Sequence, residues 1–138
     1  MHTIAIPDYI LQRVVERRGK VRLFETLDPA RTALIVVDLQ NGFMAPGQPA
    51  EIPYAREIVP NVNRIGQALR AAGGLVVYIQ NTITEETQSQ WCVWFDNFTK
   101  GDFKQRMIAA FARGSFGHAI YPDLEVLPGD WTVEKQRF

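Results

Sequence analysis

Residues 33–43 read A-L-I-V-V-D-L-Q-N-G-F, and this stretch limits the possible folds more than any other. Five apolar residues follow one another without alternation, and Ile35, Val36 and Val37 are β-branched. That is the pattern of a strand buried on both faces, as in a parallel sheet. The run stops at a carboxylate, Asp38. In open α/β sheets ligands bind beyond the carboxyl ends of the strands, so Asp38 falls where chemistry is usually done. An aspartate can equally cap or turn the chain after a strand, and the pattern leaves both roles open.

A second continuous apolar run, L-V-V-Y-I-Q-N at 75–81, ends in amides. Between the two runs, residues 56–72 carry Ile58, Val59, Val62, Ile65, Leu69 and Ala72 at helical spacing. Pro60 is tolerated only in a first helical turn, so the helix is predicted to begin near Val59 and to stop at Gly73-Gly74. Strand, helix and strand at this spacing predict a right-handed parallel crossover. Asn81 then sits beside Asp38 at one sheet edge, placed either to hydrogen-bond a substrate amide or to cap the loop. Residues 131–135, W-T-V-E-K, read as a third strand ending in Lys135. A lysine there is usually solvent-facing, but its head can reach the same edge as Asp38. Right-handed crossovers order the strands 3-2-1 and leave the doubly apolar strand 33–37 at an open edge, an aggregation hazard. The expectation is therefore an N-terminal portion of a longer polypeptide, or a domain that another chain completes.

The segments around this frame are less determined. Residues 1–30 read as an N-terminal arm. Pro7-Asp8 opens a helix with Ile10, Leu11, Val14 and Val15 on one face, Arg13, Glu16, Arg17 and Arg18 on the other, and Gly19 as its stop. The apolar stripe is expected to pack on its own domain or on a neighbouring subunit. Residues 41–53 read as a Gly- and Pro-rich loop carrying Phe43, either functional or an ordinary connection. Residues 82–117 read as a long irregular excursion with Trp91, Trp94, Phe95, Phe98 and Phe103. Such a cluster suits a lid or pocket wall, or else a satellite core or subunit contact. Cys92 lies in it without an adjacent histidine, and a packed, inert thiol is expected.

Composition removes several function classes. Lys+Arg and Asp+Glu are both 15, so zero net charge gives no electrostatic case for a nucleic-acid or acidic-membrane partner. No apolar run approaches about 20 residues, and no signal peptide is visible at the N-terminus. A single cysteine excludes an internal disulfide and fits a reducing cytoplasm. His2 and His118 are not spaced as a metal pair. At 138 residues the chain suffices for one soluble domain.

Four segments in order, 33–43, A-A-G-G-L-V-V-Y-I-Q-N at 71–81, R-G-S-F-G-H-A-I at 113–120 and L-P-G-D-W-T-V-E-K-Q-R-F at 127–138, resemble the isochorismatase-like cysteine hydrolase superfamily. That superfamily includes N-carbamoylsarcosine amidohydrolase, ureidoacrylate and biuret hydrolases, and nicotinamidases. The resemblance implies a three-layer α/β/α domain with a parallel, Rossmann-like sheet. Residues 31–138 would be its N-terminal portion, with the first three strands. It also implies a catalytic Asp, Lys and Cys, onto which Asp38 and Lys135 map as general base and charge stabiliser. A thiol must lose its proton to attack an amide carbon, and a nearby carboxylate can take it. The family's cysteine follows on a later strand and has no counterpart here; Cys92 precedes Lys135 and does not match. Nicotinamidases carry a metal-site aspartate where Gly42 stands, together with histidines absent here, so no metal or other cofactor is expected.

The resemblance therefore implies a hydrolase of linear C–N amide bonds acting on small ureido or carbamoyl compounds. Phe43, Asn81 and Trp91 are its expected substrate-binding residues. Two alternatives remain: a vinyl-ether hydrolase using Asp38 as general acid without the cysteine, and a non-catalytic binding or assembly module of the same fold. The arm and the aromatic cluster predict a homo-oligomer, dimer or tetramer, under each reading.

Overall fold

The structure, a computed structural model, describes residues 5–137. All three expected strands are present: β1 (Ala33–Val37), β2 (Leu75–Asn81) and β3 (Trp131–Lys135). They pair in parallel in the order β1-β2-β3, an α/β, Rossmann-like sheet with β1 at one edge. Among the described residues six α-helices accompany them: α1 (Asp8–Arg18), α2 (Asn41–Met44), α3 (Val59–Ala71), α4 (Glu85–Gln90), α5 (Cys92–Asn97) and α6 (Gly101–Phe111). None of the described helices is long and apolar enough to cross a membrane.

The crossover helix α3 begins where Pro60 allows, with the proline in its first turn. It packs on one sheet face around Val36, Val59, Val76 and Tyr78, with Met44 and Leu124 closing the cluster. Arg70 then ties the helix to the loop before β3. Its Nε and Nη2 donate to the two carboxylate oxygens of Asp130 at 2.9 and 2.7 Å, and Nη1 reaches Glu125 at 3.2 Å. This bidentate bond holds the Asp130 carboxyl below the usual carboxylate range.

The opposite sheet face departs from expectation. In the parallel register Ala33, Ile35 and Val37 share a face with Val77, Ile79, Trp131 and Val133. Ile35 and Val37 are each 48% exposed, and Trp131 and Val133 are exposed too. The expectation of a strand buried on both faces is thus corrected for β1. Its unbroken apolar run supplies an apolar surface to both sides, while the described residues cover only one along the outer strands. Ile58 and Ile65 flank the α3 stripe and are likewise exposed.

Three further expectations change. Residues 41–53 open with the helical turn α2 rather than a loop. The excursion 82–117 is largely helical, not irregular. Trp91, Trp94 and Phe95 fall at i, i+3 and i+4 and turn one face of α5 inward, onto Ile83, Met107, Ala110 and Phe111. Trp91 stacks on Trp94 with ring centroids 5.1 Å apart, and Phe95 meets Trp94 edge-on at 4.9 Å. Phe98 and Phe103 lie outside this second core and are exposed. Helix α1 forms as expected and stops at Gly19 with φ 75°, yet it buries no residue, so its stripe stays on the surface of the described chain.

Candidate active site

Asp38 is the first residue beyond β1, and its N–H still donates to the Ile79 carbonyl at 2.9 Å. Its backbone then turns with φ 59°, the one non-glycine among the described residues with positive φ. Lys135 ends β3, two strands away. At about 4.8 Å per strand the two backbones are roughly 10 Å apart, and the side chains close that gap over the end of β2. The Lys135 Nζ stands 3.0 Å from the Asp38 Oδ2 and also donates to the Arg137 carbonyl at 3.3 Å. Both side chains are about one-quarter exposed (28% for Asp38, 25% for Lys135). Such a pair contributes little to stability, so its placement at the strand ends has to be explained by something else.

The other carboxylate oxygen of Asp38, Oδ1, is buried and has no hydrogen-bond partner among the described residues. The same holds for the Asn41 Oδ1 in the same turn. An unsatisfied buried acceptor costs roughly 1–3 kcal/mol. Both atoms are acceptors, so the turn lacks a proton donor.

A dense set of amide bonds fixes this turn. The buried Gln40 side chain donates through Nε2 to the carbonyls of Asn81 (3.1 Å) and His118 (2.8 Å) and accepts the Asn81 N–H at 2.7 Å. Gln80 donates to the same His118 carbonyl at 2.7 Å. The Asn41 and Gly42 N–H groups bond to Ala119 and Gly117 at 2.9 and 2.8 Å. Gly42 is required by proximity, because a Cβ there would stand 2.6 Å from the Phe111 ring. The position has no room for the side chain that nicotinamidases place at it. Among the described residues no three His, Cys, Asp or Glu side chains gather as a metal site; His2 lies outside them.

His118 is buried beneath this turn, its Nε2 2.8 Å from the Thr82 Oγ1. Burial pushes its pKa below the ordinary histidine value; Glu134 opposes the shift and Arg113 adds to it. A histidine depressed in the folded state takes up its proton more readily when unfolded. Its contribution to stability is therefore complete above the ordinary pKa of about 6.5 and is lost progressively as pH falls below it. Chemical denaturation between about pH 7.5 and 5.5 should show stability falling towards acid, with the slope flattened in His118→Asn. An equal slope in the variant would assign it elsewhere.

Phe43, Asn81 and Trp91, the three residues expected to bind substrate, line one cavity of about 120 Å³. Asn81 is the register partner of Lys135, and Gln136, which also lines the cavity, follows Lys135 in the chain. The cavity thus adjoins the ion pair, although Asp38 and Lys135 are not among its lining residues. Cys92 is corrected: it is exposed rather than packed, on the outward side of α5. The sequence reading missed Ile83, Met107 and Gln136 as lining residues and Gln40 as the clamp. Gln136 carried a signal in its place directly after the strand-ending lysine.

The sequence model of the isochorismatase domain family matches residues 32–138. Among solved structures the chain is similar to a cysteine hydrolase from Pseudomonas syringae pv. phaseolicola 1448A, at 24% identity and TM-score 0.61 over 80% of this chain and 48% of that one. It is similar to an isochorismatase family protein from Desulfovibrio vulgaris subsp. vulgaris str. Hildenborough, at 25% identity and TM-score 0.56 over 77% and 53%. It also shares the fold of N-carbamoylsarcosine amidase from Thermoplasma acidophilum, at 20% identity and TM-score 0.53 over 75% and 50%. The chain spans about half the length of these proteins.

Proposed function

The chain belongs to the isochorismatase family, and from that membership we propose that its site serves the hydrolysis of linear C–N amide bonds in small ureido or carbamoyl compounds. The observation that carries this reading is the Asp38 carboxylate, with Oδ2 held by Lys135 and Oδ1 buried without a partner among the described residues. An ionised carboxylate is an acceptor only, so Oδ1 is fitted to take a proton. In the proposed reaction that proton comes from a thiol. The thiolate adds to the amide carbon, and the tetrahedral intermediate expels the amine. The amine leaves with the proton returned from Asp38, and water cleaves the resulting thioester or thiocarbamate. Lys135 holds Asp38 in position and offsets the negative charge that gathers as the thiol ionises.

Residues 1–138 supply the base and the cation in this scheme. The thiol has no counterpart among them, since Cys92 faces outward from α5. Cytoplasmic location and homo-oligomeric assembly stay part of this proposal.

The test is ammonia release from ureido and carbamoyl compounds by a polypeptide carrying this site. Lys135→Ala should lower kcat by about 10²- to 10³-fold, the usual effect of losing one charge-stabilising group, with the circular dichroism spectrum unchanged. A near-wild-type rate in that variant would remove Lys135 from the mechanism.

A further inference from the structure

Two surfaces far from the ion pair lie uncovered among the described residues, and each has the form that the other fits. The first is the outer side of α3. Ile65, Ala68, Leu69 and Ala72 stand there at i, i+3, i+4 and i+7 and, with Leu27 and Pro29, line a groove of about 480 Å³. Ile65 is 49% exposed and Leu27 72%. The second surface is α1, which buries no residue. Its Ile10, Arg13, Val14 and Arg17 stand at the same four spacings around a hollow of about 220 Å³. Four residues so spaced make the hole that receives one side chain of a facing helix. Ala68 and Ala72 are small and let a second helix approach α3 closely. Ile65 and Leu27 are large enough to fill the hole on α1.

The charges at the ends of the two surfaces select one alignment. α1 begins with Asp8 and ends with Arg17 and Arg18. On the groove, Arg64 lies towards the N-terminal end of α3. Asp28 sits between Leu27 and Pro29 at the other end, where the Pro29 carbonyl lies against Gly74. None of these five charged side chains is in an ion pair among the described residues. At about 1.5 Å per residue, Asp8 to Arg18 spans roughly 15 Å and Arg64 to Ala72 roughly 12 Å. Laid parallel to α3, α1 brings Asp8 to Arg64 and Arg17 with Arg18 to Asp28. Laid the other way, it sets like charges together at both ends.

No residue of α1 lines the groove of its own chain. The connector to the sheet also exposes Val21, Leu23 and Phe24. An arm folded back on its own root would leave these three in solvent, whereas an arm extended over a neighbour lays them on it. Two-fold symmetry then makes every contact twice. We propose that two copies of the chain exchange arms, each placing α1 in the α3 groove of the other and parallel to that helix. The inference rests on the homo-oligomeric part of the proposed function and names the surfaces used. Neither surface includes Asp38, Lys135 or a residue of the cavity beside them.

The experiment is sedimentation equilibrium of the 138-residue chain. A monomer–dimer equilibrium is expected, with a Kd of roughly 1 µM, the weak end for an interface of ordinary size. Val14→Glu on the arm and Ala68→Glu in the groove should each raise Kd at least tenfold, because each sets a charge into both apolar contacts. Neither residue belongs to a core, so circular dichroism should not change. An equimolar mixture of the two variants should associate more tightly than either alone, because one intact arm then meets one intact groove. Arg64→Glu should weaken the dimer by about 3- to 10-fold, and Asp8→Lys in the same chain should restore it. A wild-type chain that stays monomeric up to about 100 µM, a hundredfold that Kd, would overturn the proposal; an arm docked on its own groove gives that result. So would a dimer unmoved by both variants, whose interface would lie elsewhere, or a mixture no tighter than its components. The two readings fail separately. Amide hydrolysis by a protein whose association ignores these variants would sink this inference and leave the hydrolase standing. A dimer that behaves as described and turns over no amide would do the reverse.

Discussion

Asp38→Asn is expected to lower kcat/KM for amide hydrolysis by about 10³- to 10⁴-fold, or roughly 4–5.5 kcal/mol of transition-state stabilisation. The substitution keeps the shape of the side chain and removes its capacity to accept a proton from the nucleophile. Nothing in the packing should respond, because the carboxylate contributes one partly exposed ion pair and an oxygen that no described residue satisfies. Thermal unfolding should therefore stay near wild type, or rise slightly if the orphaned acceptor was a net cost. Steady-state kinetics beside a melting curve separates the two effects. A loss of activity that tracks a loss of fold would make Asp38 a structural cap, the plainer role its position allowed from the outset.

The largest effect on stability is expected at Phe111. It is fully buried in the second core, and its ring centroid lies 4.5 Å from that of Phe43. It also fills the space that the missing side chain of Gly42 leaves, and its carbonyl accepts the Ile83 N–H just past β2. Phe111→Ala should cost about 3–5 kcal/mol through lost burial and the cavity left behind, read as a drop in the urea midpoint. Because Phe43 also lines the cavity beside the ion pair, the variant should enlarge that cavity even where it remains folded. A loss below 1 kcal/mol would show that Phe43 and Ile83 collapse into the space.

The strands, their order and the start of α3 were legible because each rests on a strong local signal: continuous apolar runs, Pro60 and Gly73-Gly74 all point one way. The nearness of Asp38 and Lys135 was carried by the resemblance, since a lysine at a strand end by itself usually faces solvent. The helices α4 to α6 were not legible. Helices α4 and α5 have only six residues each, and aromatic residues suggest strand or cluster as readily as helix. The α4 cap is Thr84 with Thr87 in a reciprocal capping box, without the Glu or Gln that makes such a box visible in sequence. The 91, 94, 95 spacing was present and would have turned Cys92 outward. The open face of β1 was hidden for another reason: an apolar run records what a strand is suited to pack against, not whether the partner lies within the same residues. Gln40 was invisible as a clamp because its three partners come from residues 81 and 118, brought beside it only by the fold.

The positive φ at Asp38 acts as a filter on sequence change. Of the residues other than glycine, only aspartate and asparagine adopt that conformation readily, and others incur about 1–2 kcal/mol. Glutamate, the other carboxylate, is disfavoured by the backbone before its extra length is considered. The accessible replacements, Asn and Gly, keep the turn and would remove the proposed base. Descent from an active ancestor therefore has an easy route to a chain that folds, keeps its cavity and catalyses nothing. Within such a lineage retention of the fold would carry no information about activity, and the single residue at position 38 would separate enzymes from binding proteins.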